Sequence, residues 1–399
     1  MSKTHRLVQF ALVTATLILA ACAPAAPVQP TTAAPTSAQT TAPTVAAVQP
    51  TTAPAASAEA PTTAAAQSDD SSIKVGLVTD TGGVNDQAFN QLAWEGIQQA
   101  SEELVFQAEF IESQQPTDYE ANIDALATEG TNVIITTSSE MADATAIKAK
   151  QYPDIQFAII DHAYAPTSGS PYCADTVSDC YADGGLSNVT SLMFAEEQAG
   201  FLAGVLAGGM SRSGFVCSVT SIQPPAGDRY VMSFRAGAVW QGGEEIRGMN
   251  NYINIQTQND NMPNFTDPTE GQETAQGLIG DGCDVVFGVA ANGALLAAQE
   301  NNLMAIGADA DQYNTVPEAQ AALLSSAQKN VDVAVYNYLR TVVDGSVTAG
   351  ISTGTLQNGG VGLAPFHDWD SQIPAELKAR IQRASDGIVD GSITIDLLE

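Results

Sequence analysis

The sequence predicts an α/β fold of two similar lobes, each a parallel β-sheet with helices on both faces. From Ile73 onward, short and uniformly apolar runs alternate with stretches whose apolar residues recur every three to four positions. Uniformly apolar runs are typical of strands buried on both faces of a parallel sheet, and the spaced pattern is typical of the helices between them. The alternation occurs twice over segments of similar length. A chain of this length beyond a leader also suggests two lobes.

The first lobe begins with a strand over residues 73–80, which ends on Asp80 and is followed by Gly82-Gly83. Asn85 or Asp86 can cap the next helix, which has one apolar face. The remaining elements alternate regularly, and we predict strands at 105–111, 132–137 and 156–161 and helices at 119–129 and 141–151.

The sequence then repeats this scheme. We predict strands at 188–193, 214–220, 252–256, 284–289, 304–308 and 322–326, and helices at 194–210, 228–240, 269–280, 293–301, 331–343 and 375–388. The helix at 194–210 carries small residues suited to close packing, and a glycine-rich stretch runs to Gly362. We assign residues 73–190 and about 310–345 to the first lobe, and residues 191–309 and about 346–399 to the second.

The amino terminus has the pattern of a secretory signal. A basic head is followed by an apolar run over residues 7–21, which is shorter than the about 20 apolar residues of a membrane-spanning helix. We therefore expect a signal peptide over residues 1–21. The next residues, Leu19-Ala20-Ala21-Cys22, resemble the lipobox of bacterial lipoproteins, which implies acylation of Cys22 and anchoring on the extracytoplasmic face of the cell membrane. The alternative is an ordinary signal peptide with a chance cysteine.

Residues 22–72 consist almost entirely of Ala, Pro, Thr, Gln, Ser and Val. Such a segment buries too little apolar surface to fold, so we expect a disordered tether. The chain has 45 acidic and 14 basic residues and a net charge of −31. This charge argues against nucleic acid or an anionic membrane surface as a partner, although it could equally be a solubility adaptation.

Four cysteines remain after Cys22, an even number that indicates disulfides in an exported protein. Cys173 and Cys180 lie in a loop-like stretch, and we predict that they bond to each other. Cys217 and Cys283 lie in predicted strands and could pair or remain two buried thiols. We expect no metal site, since the chain has three histidines and lacks a CxxC motif.

Polar residues collect after the predicted strands, where open parallel sheets bind their ligands. They include Asp80, Asn90, Ser138, Asp161, Asn292, Asp309 and Lys329, with the aromatic residues Phe89 and Tyr230. Aromatic rings in a cleft could stack on a flat ligand, at about 1–3 kcal/mol per ring. Simpler roles are also open: Asp80 and Asp161 could only cap helices, Phe89 could fill the core, and Lys329 could pair with Asp309 or Asp332.

One segment resembles a known family closely. Residues 75–96 read VGLVTDTGGVNDQAFNQLAWEG, which is similar to the opening signature of the basic membrane lipoprotein (BMP) family of purine nucleoside receptor-like proteins. Further similar blocks follow in the family's order, at 141–143, 152–161, 199–204, 307–312 and 329–335. The resemblance implies a type I periplasmic-binding-protein fold, with two Rossmann-like lobes joined by a hinge. It also implies a monomeric substrate-binding protein that delivers a nucleoside to an ABC permease.

The resemblance further implies roles for individual residues. Phe89 and Tyr230 would sandwich a purine, Asp161 would contact the base or its neighbours, and Asp309 and Lys329 would bind the ribose. The first lobe's remaining contacts would come from Asp80, Asn90 and Ser138. The chain departs from the family at residues 222–228 and 290–293, and the insertion bearing Cys173 and Cys180 is peculiar to it.

The sequence lacks the GxxxxGK[ST] and HExxH motifs of nucleotide-hydrolysing enzymes and metalloproteases. Asp309 and Asp311 could be a metal-binding pair, but no third hard ligand lies nearby in the sequence. We therefore expect no catalytic residue and no cofactor. The alternatives are a surface nucleoside-processing enzyme and a ligand sensor for a membrane signalling protein.

Overall fold

A computed structural model describes residues 73–168, 170, 172–221, 225–252 and 268–397. The predicted signal peptide, Cys22 and tether lie outside these residues, as do residues 253–256 of the strand predicted at 252–256. None of the helices in the described ranges is long and apolar enough to cross a membrane.

The described residues form two six-stranded sheets, one in each lobe. The strands of the first sheet are all parallel and lie in the order β11-β5-β4-β3-β1-β2. They are β1 (Lys74–Thr79), β2 (Gln107–Glu112), β3 (Val133–Thr136), β4 (Gln156–Ile160), β5 (Val189–Phe194) and β11 (Gly350–Gly354). The helices that cover it are α1 (Phe89–Leu104), α2 (Tyr119–Thr128), α3 (Ala142–Gln151) and α9 (Val331–Val343).

The second sheet has the order β12-β10-β9-β8-β6-β7, and only its edge strand β12 is antiparallel to its neighbour. Its strands are β6 (Phe215–Thr220), β7 (Arg247–Tyr252), β8 (Val285–Val289), β9 (Met304–Asp309), β10 (Leu323–Lys329) and β12 (Val361–Leu363). Its helices are α4 (Glu196–Met210), α5 (Ala226–Gly242), α6 (Thr269–Gly280), α7 (Asn292–Glu300), the short α8 (Gln312–Thr315) and α10 (Ala375–Val389).

The uniformly apolar strands are buried on both faces. In β3, Val133 and Ile135 pack in one hydrophobic cluster while Ile134, between them, packs in another. Because successive strand residues point to opposite faces, this split shows that helices cover the sheet on both sides. The predicted parallel-sheet architecture is confirmed.

The small residues of α4 allow α4 and α5 to approach closely. A Cβ atom at Gly204 would lie 1.9 Å from the carbonyl oxygen of Phe234, and one at Gly237 would lie 2.0 Å from that of Phe201. Only glycine fits such backbone contacts, so the composition of α4 reflects packing.

Within the described ranges the chain crosses between the lobes three times, and the crossings correct the predicted lobe boundaries. The first crossing follows β5, the second lies between β10 and α9, and the third lies between β11 and β12. The strand predicted at 322–326 therefore belongs to the second sheet, and β11 belongs to the first. Sequence periodicity identifies strands but carries no information on which sheet they join.

Other differences are local. The strand Arg247–Tyr252 was not predicted, because its polar composition hid it, and of the strand predicted at 252–256 only Tyr252 is among the described residues. The glycine-rich stretch contains β11 and β12, two edge strands too short or too exposed to show an apolar run. The described residues contain two disulfides, Cys173–Cys180 in the insertion and Cys217–Cys283 in the second lobe, with Cα–Cα distances of 5.5 and 6.0 Å.

Candidate functional site

A cavity of about 120 Å³ lies between the carboxyl ends of the two sheets. Its first-lobe lining is Asp80, Asp86, Ala88, Phe89, Asn90, Ser138, Ser139, Glu140 and Asp161, and its second-lobe lining is Pro225, Ala226, Arg229, Ala290, Asn292, Asp309 and Lys329. All of the predicted binding residues except Tyr230 are in this set. We call it the cleft cavity.

Asp80 and Asn90 form a buried polar pair at the end of β1. The Nδ2 group of Asn90 donates to Oδ1 of Asp80 at 2.8 Å, and the backbone N–H of Gly82 donates to the same oxygen at 3.0 Å. Burial raises the pKa of Asp80, while these two hydrogen bonds act to lower it. The Oδ1 atom of Asn90 is buried and has no hydrogen-bond partner among the described residues.

Asp86 caps the first turn of α1. Its carboxylate accepts hydrogen bonds from the backbone N–H groups of Ala88, Asn90 and Gln91, at 2.8–3.1 Å. Burial nevertheless raises its pKa to about 6. This cap positions Phe89, the first residue of α1, at the cavity wall. The Nζ atom of Lys329 lies 5.3 Å from the centre of the Phe89 ring.

Buried charges from both lobes meet beside the cavity. Lys329 is fully buried, and its Nζ lies 2.5 Å from Oδ2 of Asp161 and 3.1 Å from Oε1 of Glu196. Arg229 adds a second cation, since its Nε donates to Oε2 of Glu196 at 2.6 Å. The simpler alternative, an ion pair of Lys329 with Asp309 or Asp332, is not found among the described residues, where its partners are Asp161 and Glu196. Glu196 and Arg229 were not predicted as site residues, because their role depends on the packing of α4 against α5.

The pKa values of Asp161 and Glu196 are shifted in opposite directions. Burial raises the pKa of Asp161 to about 6, against the lowering effect of Lys329. Burial also opposes ionisation of Glu196, but Lys329 and Arg229 together lower its pKa. The Oδ1 atom of Asp161 is buried and has no partner among the described residues, although Oδ2 is bound to Lys329.

Tyr230 does not reach the cleft cavity, which corrects its predicted role as a stacking surface. It is fully buried, packs edge-on against Phe287 with ring centres 6.0 Å apart, and donates from its hydroxyl to Asp309. The cavity side of α5 carries Ala226 and Arg229 instead. Successive side chains of an α-helix point about 100° apart, so Tyr230, the residue after Arg229, points into the core.

Several strand-end residues share an uncommon backbone conformation. Ser138, Asp161, Ala290 and Asp309 all line the cavity and have φ values of 67°, 66°, 47° and 63°. Non-glycine residues at positive φ are uncommon, and such strain concentrates at ligand-binding sites. The backbone therefore marks the same region as the side chains.

Direct hydrogen bonds join the lobes at the cavity rim. The Nδ2 group of Asn292 donates to Oε1 of Gln87 at 3.1 Å, and the hydroxyl of Thr315 donates to the backbone oxygen of Gln87 at 2.8 Å. Gln312 supports this contact, since its Nε2 donates to Oδ1 of Asn292 at 2.8 Å. Gln87 has φ 62°, and no sequence pattern had indicated its role.

Asp309 and Asp311, which the sequence offered as a conceivable metal-binding pair, have different partners in the fold. Asp309 accepts from Tyr230, whereas Asp311 lies 2.8 Å from Nε2 of His367 and is not among the residues that line the cavity. In the described ranges, no three His, Cys, Asp or Glu side chains are arranged to hold a metal ion.

The chain is similar to curated proteins over most of its length. A CD4+ T-cell-stimulating antigen of Listeria innocua is 29% identical over 353 residues, which cover 82% of this chain and 90% of that protein. The ABC transporter nucleoside-binding protein BmpA of Lactococcus lactis is 27% identical over 347 residues, covering 82% and 89%. A lipoprotein of Pyrococcus abyssi is 26% identical over 314 residues, covering 75% and 69%.

Solved structures share the fold. An ABC transporter solute-binding protein of Aeropyrum pernix superposes with a TM-score of 0.68 at 22% identity, over 82% of this chain and 94% of its own. One from Conexibacter woesei gives a TM-score of 0.62 at 21% identity, over 82% and 99%. The two-lobed periplasmic-binding-protein fold is thus confirmed. The Bmp family model, described as ABC transporter substrate-binding protein PnrA-like, matches residues 73–395. The chain therefore belongs to the Bmp family of ABC transporter substrate-binding proteins.

Proposed function

We propose that this protein binds a purine nucleoside, or a similar ring-bearing solute, in the cleft cavity and delivers it to an ABC permease as a monomer. The likeness to the nucleoside-binding protein of Lactococcus lactis supports this ligand class. So does the composition of the cavity, which places one aromatic ring among amide and carboxylate groups.

The observation that carries the proposal is a pair of unsatisfied acceptors beside Phe89. Oδ1 of Asn90 and Oδ1 of Asp161 are both buried, and both residues line the cavity. A buried polar atom without a partner costs free energy, about 1–3 kcal/mol each. A ligand with N–H or O–H donors removes this cost, and the hydroxyl and ring N–H groups of a nucleoside are such donors.

The charge of the cavity favours a neutral solute. Its carboxylates come from Asp80, Asp86, Glu140, Asp161 and Asp309, against the cations of Arg229 and Lys329. The whole chain carries a net charge of −31. A phosphate group would be repelled by this field, so nucleosides should bind and nucleotides should not.

The hinge and the rim contacts supply a closure mechanism. The three crossings allow one lobe to rotate on the other. The contacts of Gln87 join the two lobes at the cavity rim, and a bound ligand would bridge the same two lobes. A ligand shifts a conformational equilibrium only through contacts that differ between the states. Residues from both lobes line the cavity, so a bound nucleoside favours the closed arrangement.

Membrane attachment through Cys22 belongs to the same proposal. It is supported by the lipobox-like sequence and by likeness to a lipoprotein of Pyrococcus abyssi. Mass spectrometry of the membrane-extracted protein tests it. We expect a mature chain that begins at a diacylated Cys22, and an unmodified Cys22 would contradict the anchor.

Calorimetric titration tests the ligand class. We expect micromolar or tighter binding of at least one purine nucleoside, which corresponds to about 8 kcal/mol, and no binding of the matching nucleotide. Asp309→Ala should abolish binding while the circular dichroism spectrum stays unchanged. Asp154→Ala, at an exposed position outside the cavity, is the matched control. Unchanged affinity in Asp309→Ala would refute the site assignment.

A further inference from the structure

A second cavity of about 290 Å³ lies in the first lobe, between α9 and the edge strand β11. It shares no lining residue with the cleft cavity. We call it the α9–β11 cavity. The proposed transport function makes no use of it.

This cavity is lined without a single charged side chain. Its polar groups are hydroxyls and amides, such as those of Thr190, Asn337, Thr341 and Ser352, and its apolar groups include Leu192 and Val333. On a chain with a net charge of −31, this neutrality distinguishes the cavity from the cleft. Hydroxyls and amides both donate and accept, so they suit a neutral ligand that does the same.

The backbone of β11 adds to the polar lining. All five residues of β11, Gly350–Gly354, line the cavity, and the strand has a hydrogen-bonded neighbour on one side only, β5. Successive residues of a strand point to opposite faces of the sheet. All five can line the same cavity only when that cavity runs along the edge of the strand. An edge strand presents unpaired N–H and C=O groups, which are further neutral donors and acceptors.

An unsatisfied buried hydroxyl points to a ligand. Tyr338 of α9 lines the cavity and is 5% exposed, and its hydroxyl has no hydrogen-bond partner among the described residues. Burial alone raises the pKa of this tyrosine, with no neighbouring group contributing. A buried hydroxyl without a partner is uncommon in a folded protein and favours a bound polar molecule.

We propose that the α9–β11 cavity is a second binding site, for a neutral polyol or sugar-sized molecule with hydroxyl or amide groups. Tyr338 and the edge of β11 supply the hydrogen bonds, while Leu192 and Val333 contact the apolar faces of the ligand. The volume of about 290 Å³ and the buried hydroxyl favour a small molecule over an extended peptide paired with β11.

Saturation-transfer NMR on the full chain tests this site with glucose, myo-inositol and N-acetylglucosamine at millimolar concentration. Val333 and Val343 provide a matched pair, since both lie on α9 at 39% and 37% exposure and only Val333 lines the cavity. We expect a signal from at least one probe that Val333→Trp abolishes and Val343→Trp retains. Tyr338→Phe should weaken binding by about fivefold, through loss of one hydrogen bond.

Three results would overturn the proposal. The first is no signal from any neutral probe. The second is a signal that Val333→Trp leaves intact, which would place the probe elsewhere, including the cleft. The third is equal binding of glucose 6-phosphate, or binding of extended peptides alone, which would refute the ligand class. Because the tryptophan variants act outside the cleft cavity, none of these results depends on nucleoside binding.

Discussion

The hydroxyl of Tyr230 donates a 3.0 Å hydrogen bond to Oδ1 of Asp309, linking α5 to the end of β9 across 79 positions of sequence. Both side chains are buried, and burial together with the Asp309 carboxylate raises the pKa of Tyr230 well above its usual value. The tyrosine therefore stays protonated and holds one oxygen of Asp309. This arrangement orients Asp309 toward the cleft cavity.

Replacing Tyr230 with phenylalanine tests whether its hydroxyl positions Asp309. The ring remains, so packing against Phe287 is preserved and only the hydrogen bond is lost. A positioning role predicts affinity weaker by about fivefold to tenfold, because Asp309 loses a charge-assisted hydrogen bond. Calorimetry at neutral pH measures this difference. Affinity equal to that of the wild type would contradict the positioning role.

Removing the charge of Lys329 should destabilise the protein. Lys329→Met leaves Asp161 and Glu196 buried beside one another without their shared cation, which typically costs about 3–5 kcal/mol in the free energy of unfolding. Lys378→Met is the control, since Lys378 pairs with the exposed Asp370 and its loss should cost about 0–1 kcal/mol. Urea unfolding without ligand measures both. Similar losses in the two variants would contradict the buried network.

The rim contact should contribute to affinity without touching the ligand. Thr315→Val removes the hydroxyl that donates to Gln87 in the opposite lobe. We expect nucleoside affinity to fall by about fivefold, the effect of one hydrogen bond formed when the lobes meet. Thr128→Val, on the exposed side of α2, serves as the control. Equal affinities of Thr315→Val and the control would show that the contact does not influence closure.

Asp86 should make stability depend on pH in a defined window. Burial raises its pKa in the folded state to about 6, from about 4 in the unfolded chain. The folded state therefore binds the proton more tightly, and the stability that Asp86 contributes is present below about pH 4 and is lost as pH rises through 6. The difference in unfolding free energy between wild type and Asp86→Asn should fall across this window and stay flat above it. A rise with pH would contradict the assignment.

The two disulfides should differ in their contribution to stability. Cys217–Cys283 closes a loop with a sequence separation of 66, and Cys173–Cys180 one of 7. Loop-closure entropy predicts losses of about 4 and about 2–3 kcal/mol when each pair is replaced by alanine. Chemical denaturation of the two double variants compares them. A larger loss for the Cys173–Cys180 pair would contradict this order.

The layers of the fold could be predicted from the sequence because a strand buried on both faces is apolar at every position. The run through Val133, Ile134 and Ile135 is apolar at every position, and each of these residues is buried. The strand Arg247–Tyr252 is polar and half-exposed, so no apolar run marked it. The sequence also did not indicate which sheet each strand joins, because the crossing between β10 and α9 depends on contacts between residues far apart in the chain.

The candidate site was predictable where residues follow strand ends. Asp80, Asp161 and Asp309 lie there by chain order alone, and all three line the cleft cavity. Tyr230 and Arg229 are adjacent in sequence, and only the orientation of α5 decides which of them faces the cavity. Gln87 was unpredictable because its contacts come from residues more than 200 positions away.

A crystal structure of the protein with a purine nucleoside tests the central claim most directly. We predict the ring against Phe89, with donors of the ligand on Oδ1 of Asn90 and Oδ1 of Asp161 and with residues of both lobes in contact. A nucleoside bound outside the space between the lobes, or in contact with one lobe alone, would contradict the account.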